Sequence, residues 1–514
     1  MSYSILFAAE EQYQEQRKVD EPSCFKDLNL NQIFAPILKI KKEYELESFF
    51  YTSLHEPASI IYRQDVMREM ENSQLRSMFT VFSETAYNLG CHMDTIRKEL
   101  SSKDSGDNNY ITRGHMLDYA EKYCLTISNL SEGLSKWSLQ SKGLCDFAKY
   151  LASYCTSGYF TGLCASVKKL RGELSAVEYC MMIKNGTIRV RKYEGQEDHS
   201  RQILATFEKF RQGDVKDYRQ KLSEEPYATH VEAAILNMVA SVYKDIFSEL
   251  NEFCSQYIHF DDETVFRFSR EIQFYLSWID YIQPIRDAGL PFHYPEICTT
   301  SEHIYNLEGF DLALAVSLQG KIVTNDFVFH APEHIIVVTG PNQGGKTTFA
   351  RAFGQVHYLA ALGLCVPGRE GNLYLFDDIL THFGREEDLS TLNGKLQDDL
   401  VRLHELLEKA TSRSEIIVNE IFSSTTLKDA LLLGGYMMDA FAALKAPAMV
   451  VTFLDELAVH GPETVSMMSL VKEDDPSERT YKVVRKPPDG LAYAMYIAGR
   501  HGLTYEQLNR RLKK

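Results

Sequence analysis

The chain has 514 residues, of which 44% are hydrophobic and 25% charged, with a formal net charge of −16 and a pI of about 5.5. This length suggests roughly three domains, each large enough to bury its own core. Acidity on this scale excludes a protein that binds nucleic acid over its whole surface, so any contact with DNA needs a local basic patch or an internal channel.

The ten cysteines are scattered between Cys24 and Cys365 without a C-x-x-C pair. This pattern predicts buried or free thiols in a reducing compartment rather than a disulfide framework or a zinc site. No basic stretch precedes the apolar residues of the N-terminus, and no apolar run is long enough to span a bilayer. We therefore expect a cytoplasmic protein with no membrane partner.

The first half of the chain has mostly helical patterns, with a polar loop at residues 101–109. Apolar residues recur in steps of three and four from Val231 to Phe253, and again from Val265 to Ile279. This spacing predicts two long helices, the second ending near Pro284. They suit a helical core with a lever arm.

The stretch from Tyr179 to Tyr193 interrupts the helical pattern. Two short β-like runs flank Asn185-Gly186, the dipeptide typical of a two-residue hairpin turn. The sequence therefore predicts a β-hairpin within the helical region.

Basic residues gather around this hairpin. Three precede it, Lys168, Lys169 and Arg171, and four lie in it, Lys184, Arg189, Arg191 and Lys192. Alternation puts Arg189 and Arg191 on one strand face, which suits contact with DNA phosphates. The alternative is an ordinary solvated face whose charge is balanced by Glu194, Glu197 and Asp198.

After Cys298 the pattern changes to short strands, and an apolar run from Ile335 to Val338 leads into a match to G-x-x-x-x-G-K-[ST]. Its glycines let backbone N–H groups surround phosphates, its lysine supplies a cation, and its threonine hydroxyl can coordinate Mg²⁺ at a helix N-terminus. Because a strand precedes the motif and a helical pattern follows it, we predict a nucleotide site. Its expected binding residues are Gly340, Gly344, Gly345, Lys346, Thr347 and Thr348.

Two more apolar strands are expected, at residues 416–420 and 448–452. In P-loop ATPases the first of these strands is expected beside the P-loop strand. Its penultimate residue holds a Mg²⁺-bound water, and the following carboxylate polarises the attacking water. Here Asn419 occupies the first position and Glu420 the second.

The stretch Thr339–Thr348 resembles the P-loop of the MutS family of DNA mismatch-repair ATPases, which are ABC-type dimers. Further segments resemble the family in the same order, including Cys365–Pro367, Phe376–Thr381, Phe383-Gly384, Glu387–Leu389, Ala410-Thr411, Asn419–Ile421, Thr425-Thr426, Asp455–Leu457, Arg479–Val483, Gly490 and Tyr493. Phe49–Tyr51, Glu56-Pro57 and Tyr62–Val66 resemble the start of the family's helical core. The resemblance is strongest from His330 to Arg511 and looser before.

The resemblance implies an N-terminal segment at residues 1–44, an all-α helical core with a lever or clamp arm at 45–297, and an α/β ABC-type P-loop ATPase domain at 298–514. It implies that Lys346 and Thr347 bind phosphate and Mg²⁺, with Asn419 on the metal side. Asn342 would reach the γ-phosphate, and Glu420 would be the catalytic carboxylate. The implied ligands are ATP, Mg²⁺ and DNA that is mismatched, branched or otherwise non-B, and the implied partner is a second copy of the chain.

Three positions depart from the family pattern. Asn419 stands where the family has aspartate, and Phe453 stands where it has an active-site histidine. Gly394-Lys395-Leu396 replaces a Ser-Thr-Phe element that is offered across the dimer. Lys395 is a candidate donor to the partner's γ-phosphate, against the alternative of a plain solvated lysine. Together these departures predict secure nucleotide binding and slow hydrolysis.

The family's mismatch-reading domain, with its Phe-x-Glu wedge, is expected to be missing, because the core resemblance already begins near Tyr44. Phe-x-Glu occurs at Phe82–Glu84 and Phe247–Glu249, but both lie in helical patterns where phenylalanine is expected to be packed. The end of the chain at Lys514 leaves no room for the nuclease module of a related group, so no nuclease activity is expected.

The sequence therefore predicts a cytoplasmic, homodimeric ATPase that couples ATP binding and slow hydrolysis to clamp-like DNA binding in repair or recombination. Branched DNA is expected as the substrate rather than a single mismatch. The alternative is a nucleotide-gated scaffold that hydrolyses little ATP and switches a protein partner. Asn419, Phe453 and the acidic net charge favour that alternative.

Overall fold

A computed structural model describes residues 3–8, 19–101, 109–197, 199, 202, 230–300, 303–384, 394–472, 478–489, 498–499 and 501–512. The chain forms two compact units. The first comprises Met1–Ser77, Leu139–Cys145 and Arg270–Lys514, and the second comprises Met78–Ser138 and Asp146–Ser269. Both units are discontinuous in sequence, and the three-part division predicted at residues 44 and 297 stays a prediction.

The described ranges contain sixteen α-helices. They are α1 (Phe25–Leu28), α2 (Leu30–Ile40), α3 (Glu47–Phe50), α4 (Pro57–Glu69), α5 (Ser73–Ser101), α6 (Tyr110–Ser135), α7 (Lys142–Thr156), α8 (Gly158–Ser175), α9 (His230–Val242), α10 (Lys244–Gln256), α11 (Glu263–Asp287), α12 (Leu312–Ser317), α13 (Lys346–Ala361), α14 (Lys395–Lys409), α15 (Leu427–Leu444) and α16 (Tyr505–Leu512). None of these helices is long and apolar enough to cross a membrane.

The strands form a hairpin and three further sheets. They are β1 (Tyr179–Lys184), β2 (Thr187–Lys192), β3 (Phe292–His293), β4 (Glu296–Cys298), β5 (His303–Gly309), β6 (Asn325–His330), β7 (Ile335–Thr339), β8 (Val366–Pro367), β9 (Glu370–Tyr374), β10 (Ile379–Phe383), β11 (Glu415–Asn419), β12 (Ala448–Val451), β13 (Thr464–Val471) and β14 (Arg479–Arg485). A four-stranded sheet has the order β4-β9-β5-β6, and β3 pairs with β8. The fold is thus mixed, with helical and α/β parts.

The central six-stranded sheet has the order β10-β11-β12-β7-β13-β14. Its strands are parallel except β14, which runs antiparallel to β13. The expectation that the strand ending at Asn419-Glu420 lies beside the P-loop strand is wrong, because β12 pairs with both β11 and β7. Asn419 still reaches the P-loop, since the carboxyl ends of parallel strands share one edge of the sheet.

One face of this sheet is covered by α14 and α15. The two helices and the sheet share an apolar core that includes Leu403, Leu406, Ile416, Val418, Met437, Met438, Phe441 and Val450. The short run of β-branched residues in β7 and β11 is buried throughout, as expected for inner strands of a parallel sheet. This core holds the carboxyl ends of the strands in a fixed register.

The predicted long helices differ from the observed ones in two places. The helix expected from Val231 to Phe253 is broken at Tyr243, whose φ of −114° and ψ of 50° lie outside the helical region. At the break the Tyr243 hydroxyl donates to the Glu178 carbonyl at the base of the hairpin. The second helix runs to Asp287 with Pro284 inside it, because a proline in the last turn removes only a single backbone hydrogen bond.

The predicted β-hairpin is confirmed. Strands β1 and β2 pair antiparallel from Tyr179↔Lys192 to Lys184↔Thr187. Asn185 and Gly186 form the turn with φ of 54° and 74°, as a two-residue turn of this kind requires.

Other expectations concern single residues. Phe82 and Phe247 are each 4% exposed and lie in helices, which confirms that they are packed. All ten cysteines are free thiols, as predicted. The predicted loop at residues 101–109 and the resembling segments at Glu387–Leu389, Gly490 and Tyr493 lie largely or wholly outside the described residues.

Candidate nucleotide-binding site

The P-loop connects the fully buried strand β7 to the N-terminus of α13, as the sequence predicted. Gly345 precedes the helix with φ of 94°, a conformation that strongly favours glycine. At Gly344 a Cβ atom would lie 2.2 Å from the Ser469 hydroxyl oxygen, which donates to the Gly344 carbonyl at 2.6 Å. The loop is therefore held against β13 at a distance that admits no side chain.

Lys346 is buried, and its ammonium group folds back over the loop. Its Nζ donates to the carbonyls of Gly340 at 3.0 Å and Pro341 at 3.1 Å. Burial lowers the pKa of Lys346, while the negative charge of Glu420 acts in the opposite direction. The lysine is thus a pre-positioned cation at the start of α13, where an anion is also favoured by the helix N-terminus.

Thr347 and Asn419 lie on either side of the gap between α13 and β11. The Thr347 hydroxyl donates to the Asn419 side-chain oxygen at 2.9 Å. A hydroxyl and an amide oxygen are hard ligands of the kind that Mg²⁺ accepts directly or through water. These two residues fit a hydrated Mg²⁺, although an amide brings no negative charge to the ion.

Glu420 follows the last residue of β11 and is exposed, with φ of 55°. Its side chain faces the same cavity as Lys346 and Thr347. The structure therefore brings together Lys346, Thr347, Asn419 and Glu420, which the sequence placed in one site.

A cavity of about 460 Å³ opens beside the P-loop. Gln343, Gly345, Lys346, Thr347, Thr348 and Glu420 line its phosphate-binding end, and the remaining wall comprises Asp311, Leu314, Leu318, Lys321, Ile322, Val323, Asn325 and Tyr481. A polar end beside a largely apolar wall is the usual composition of a small-molecule site. A nucleotide would fit with its phosphates on the loop and its base on the apolar wall.

Most of that wall was missed from the sequence. Residues 311–325 precede the P-loop strand and carry no motif, so no sequence signal marks them as part of the site. Arg479 was noted only as part of a resembling segment, yet its Nε donates to the Asn342 carbonyl at 3.1 Å. Tyr481, from the same strand, has φ of 58° and lines the cavity.

Several predicted residues do not line the cavity. Asn342 is exposed, and its side-chain oxygen is 3.5 Å from the Lys346 ammonium. Phe453 is 49% exposed just after β12, and Lys395 begins α14. Gly340 and Gly344 lie on the side of the loop that contacts Ser469 of β13.

The hairpin lies in the second unit and presents two different faces. Directly opposite residues share a face in an antiparallel pair, so Lys184, Arg189 and Arg191 lie together with Met182 and Thr187. Lys192 lies on the other face, with its ammonium 5.8 Å from the centre of the Tyr243 ring. Three of the four predicted DNA-binding residues are therefore on one exposed face.

Two of the three basic residues before the hairpin form ion pairs with carboxylates. Arg171 pairs with Asp118 and Glu121, and Lys169 pairs with Glu249 and Glu173. By contrast, no ion pair joins Lys184, Arg189 or Arg191 to a carboxylate within the described ranges. The hairpin face thus carries positive charge that its described neighbours leave unneutralised.

Comparison with known proteins gives a family for the region that contains the nucleotide site. Residues 336–506 match the model of MutS domain V. The region that contains the nucleotide site is therefore similar to proteins of the MutS family. The matched region of MutS domain V includes Lys346, Thr347, Asn419 and Glu420, so the resemblance noted from the sequence is confirmed.

Individual MutS-family relatives are similar to parts of the chain. The chain is 32% identical over 194 residues to the Endonuclease MutS2 of Thermus thermophilus, covering 37% of this chain and 25% of the relative. It is 24% identical over 325 residues to the DNA mismatch repair protein MutS of Thermotoga maritima, covering 61% of this chain and 38% of the relative. The similarity thus spans well under half the length of these relatives.

Proposed function

We propose that this protein binds ATP with Mg²⁺ in the cavity beside the P-loop, hydrolyses it slowly, and couples this cycle to binding of DNA. The observation that carries the proposal is that Lys346, Thr347 and Glu420 line one cavity and that Asn419 accepts a hydrogen bond from Thr347, all four within the region matched by MutS domain V. A cation, a hydroxyl, an amide oxygen and a carboxylate at the end of parallel strands suit phosphoryl transfer to water.

Each residue has a separate role in the proposed reaction. Lys346 and the loop amides bind the β- and γ-phosphates, while Thr347 and Asn419 hold the Mg²⁺, which neutralises phosphate charge when bound. Glu420 accepts a hydrogen bond from the attacking water and orients it toward the γ-phosphate. Because Glu420 is exposed and Lys346 is buried, the carboxylate retains contact with solvent beside a fixed cation.

Slow hydrolysis is proposed because two polar groups of the family pattern are replaced. Asn419 leaves the metal with one carboxylate fewer, and the exposed Phe453 side chain has no group that can hydrogen-bond a phosphate. Weaker charge stabilisation raises the barrier for phosphoryl transfer, which depends mainly on positioning and electrostatics.

The face formed by Lys184, Arg189 and Arg191 supports DNA contact by the hairpin. All three side chains are exposed on one side of a two-stranded ribbon. Contacts of this kind bind phosphates and position a protein on DNA without reading its sequence. The proposed substrate is DNA that is mismatched, branched or otherwise non-B, and the proposed active form is a cytoplasmic homodimer acting as a clamp in repair or recombination.

Binding of a fluorescent ATP analogue tests the site. Lys346→Ala removes a charged hydrogen-bond donor, worth about 1.5–3 kcal/mol, and should weaken binding roughly tenfold to a hundredfold. Lys428→Ala, an exposed lysine of α15 in the same domain, is the matched control and should bind as the wild type does. Equal binding by the Lys346 variant and the wild type would refute the assignment.

The second candidate function is a nucleotide-gated scaffold that switches a protein partner without touching DNA. Asn419 and Phe453, which both weaken hydrolysis, favour it. The two candidates differ in their response to salt, because DNA binding through phosphates weakens steeply as salt rises. Tight ATP binding with neither turnover nor salt-dependent DNA binding would decide for the scaffold.

A further inference from the structure

The N-terminal residues Tyr3–Ala8 lie outside every helix and strand, yet the middle of this segment is deeply buried. Ile5 is 1% exposed and Leu6 is fully buried. The segment lies in a groove made by α4 and α11 within the first unit. Its occupant and its walls therefore come from distant parts of the sequence.

The groove binds the main chain of this segment through side chains. Three consecutive carbonyls accept hydrogen bonds: Ser4 from the Tyr62 hydroxyl at 2.6 Å, Ile5 from the Tyr275 hydroxyl at 2.6 Å, and Leu6 from the Arg63 Nε at 2.9 Å. In peptide recognition, hydrogen bonds to the main chain give affinity and pockets for neighbouring side chains give specificity.

Glu271, on α11 with Tyr275, also binds the segment. Its carboxylate accepts from the Ser4 hydroxyl at 2.9 Å and from the Ile5 amide at 2.8 Å. Glu271 and Arg63 are each 1% exposed. Buried charged groups are retained where they have partners, so these two residues are matched to the peptide that fills the groove.

Arg63 also joins the groove to the helix that begins at the P-loop. Its Nη1 donates at 3.2 Å to the carbonyl of Leu362, the residue that caps the C-terminus of α13. Its guanidinium lies 5.1 Å from the centre of the Phe7 ring and 5.4 Å from that of Phe274. Loss of the segment would remove one of the two carbonyl acceptors of this buried cation and one of its two rings.

We propose that the groove between α4 and α11 is a peptide-binding site that Ser4–Phe7 occupies in cis. The ligand it takes is a short bent peptide with a hydroxyl side chain, two neighbouring aliphatic side chains and an aromatic one. In the segment itself the Ser4 hydroxyl oxygen accepts hydrogen bonds from the Leu6 and Phe7 amides, each at 3.1 Å. Occupancy supplies Arg63 with a second carbonyl acceptor, that of Leu6, beside the Leu362 carbonyl at the C-terminal end of α13. The site is separate from the nucleotide cavity, so the proposal stands whether or not the protein hydrolyses ATP.

The first test empties the groove in the full-length chain. Ile5→Asp with Leu6→Asp would bury two carboxylates, and the segment should leave the groove. A labelled peptide with the sequence of residues 3–8 should then bind this variant about tenfold or more tightly than the wild type, where the tethered segment competes. The same peptide carrying both aspartates is the control and should not bind.

Two results would overturn the proposal. One is a variant that keeps the wild-type circular dichroism and cooperative melting but binds no peptide. The other is equal binding of the peptide to the wild type and the variant.

A milder pair of substitutions serves if the aspartate variant does not fold. Tyr62→Phe with Tyr275→Phe removes two hydroxyls that bind the segment, and hydrogen exchange at the Ile5–Phe7 amides should rise about tenfold or more. The control is Tyr281→Phe, which removes a hydroxyl of α11 that has no hydrogen-bond partner in the described part of the chain. Exchange in the double variant that matches the control would refute the groove's recognition of the segment.

Discussion

At the scale of single residues, the contact between Thr347 and Asn419 sets the expected behaviour of the nucleotide site. Their 2.9 Å hydrogen bond shows that the two side chains are close enough to share a hydrated ion. The pair carries no negative charge, and the carboxylate at the phosphate-binding end of the cavity is that of Glu420. Metal binding and water activation therefore depend on different residues and can be tested separately.

Asn419→Asp should restore a carboxylate to the metal side of the site. We expect the Mg²⁺ concentration that half-activates hydrolysis to fall by about tenfold or more, as substitutions beside a metal usually shift its affinity by that amount. The maximal rate should rise at the same time. Steady-state ATP hydrolysis across a Mg²⁺ titration gives both values, and an unchanged half-activation point would count against the assignment of Asn419.

Glu420→Gln should separate binding from turnover. The amide keeps the shape of the side chain but cannot act as a base, so hydrolysis should fall by about 10²- to 10⁴-fold while ATP remains bound. Single-turnover hydrolysis and analogue binding measure the two quantities. A variant that hydrolyses ATP at the wild-type rate would show that Glu420 is not the base.

A buried acid and a buried imidazole meet beneath the P-loop helix. The Nδ1 of His357 on α13 is 3.4 Å from a carboxylate oxygen of Glu415, the first residue of β11, and both side chains are 1% exposed. Burial raises the pKa of Glu415 well above its usual value and lowers the pKa of His357 to about 4. Burial therefore favours the uncharged form of both groups.

Because of this pair, the free energy of unfolding is expected to decrease toward both alkaline and acidic pH. The unfolded chain loses the Glu415 proton above pH 4.5 while the folded chain keeps it, so stability falls as pH rises through the raised folded pKa. The unfolded chain gains the His357 proton below pH 6.5 while the folded chain stays neutral down to about pH 4, so stability also falls toward acid.

Glu415→Gln should remove the alkaline part of this dependence. The stability difference between variant and wild type should grow in the variant's favour as pH rises above 4.5 toward the raised folded pKa of Glu415, by up to roughly 1.4 kcal/mol per pH unit. Urea unfolding at several pH values measures it. Parallel pH curves for the two proteins would contradict a protonated Glu415.

At the scale of secondary-structure elements, the hairpin is the feature with the clearest functional prediction. Three exposed cations lie on one face and Lys192 lies on the other, so the effects of substitutions on the two faces can be compared. If the face of Arg189 and Arg191 contacts phosphates, each of these residues contributes to the salt dependence of DNA binding, whereas Lys192 contributes less.

Arg189→Gln and Arg191→Gln should each weaken DNA binding and reduce the slope of log affinity against log salt by about 1. Lys192→Gln makes the same loss of charge on the other face and should change the slope less. Fluorescence anisotropy with a labelled branched DNA over a range of salt concentrations provides the slopes. Equal slopes for all three variants and the wild type would favour the interpretation of a solvated face.

The elements also show what the sequence could and could not predict. The hairpin and the strand–loop–helix of the P-loop were predicted because their signals are local. Asn185-Gly186 is typical of one type of two-residue turn, and the spacing of the P-loop glycines is typical of a phosphate-binding loop. The break at Tyr243 was missed because a tertiary hydrogen bond to Glu178 accompanies it. The apolar wall at residues 311–325 was missed because the spacing of apolar residues along the chain does not show how far they lie from the P-loop in the fold.

At the scale of the whole molecule, the proposed function couples nucleotide binding in the first unit to DNA binding by the basic hairpin of the second. Each lies in its own compact unit. Coupling between them requires that ATP and DNA each favour the same state of the protein, and such coupling is reciprocal. DNA that stimulates ATP turnover, or ATP that changes DNA affinity, would each report it.

The measurement that tests the central claim most directly is steady-state ATP hydrolysis by the purified protein, with and without a four-way-branched DNA. We predict a low basal rate that the branched DNA stimulates, and no activity in Lys346→Ala under either condition. A rate near zero in both conditions with ATP still bound would contradict a DNA-coupled ATPase and would favour the nucleotide-gated scaffold.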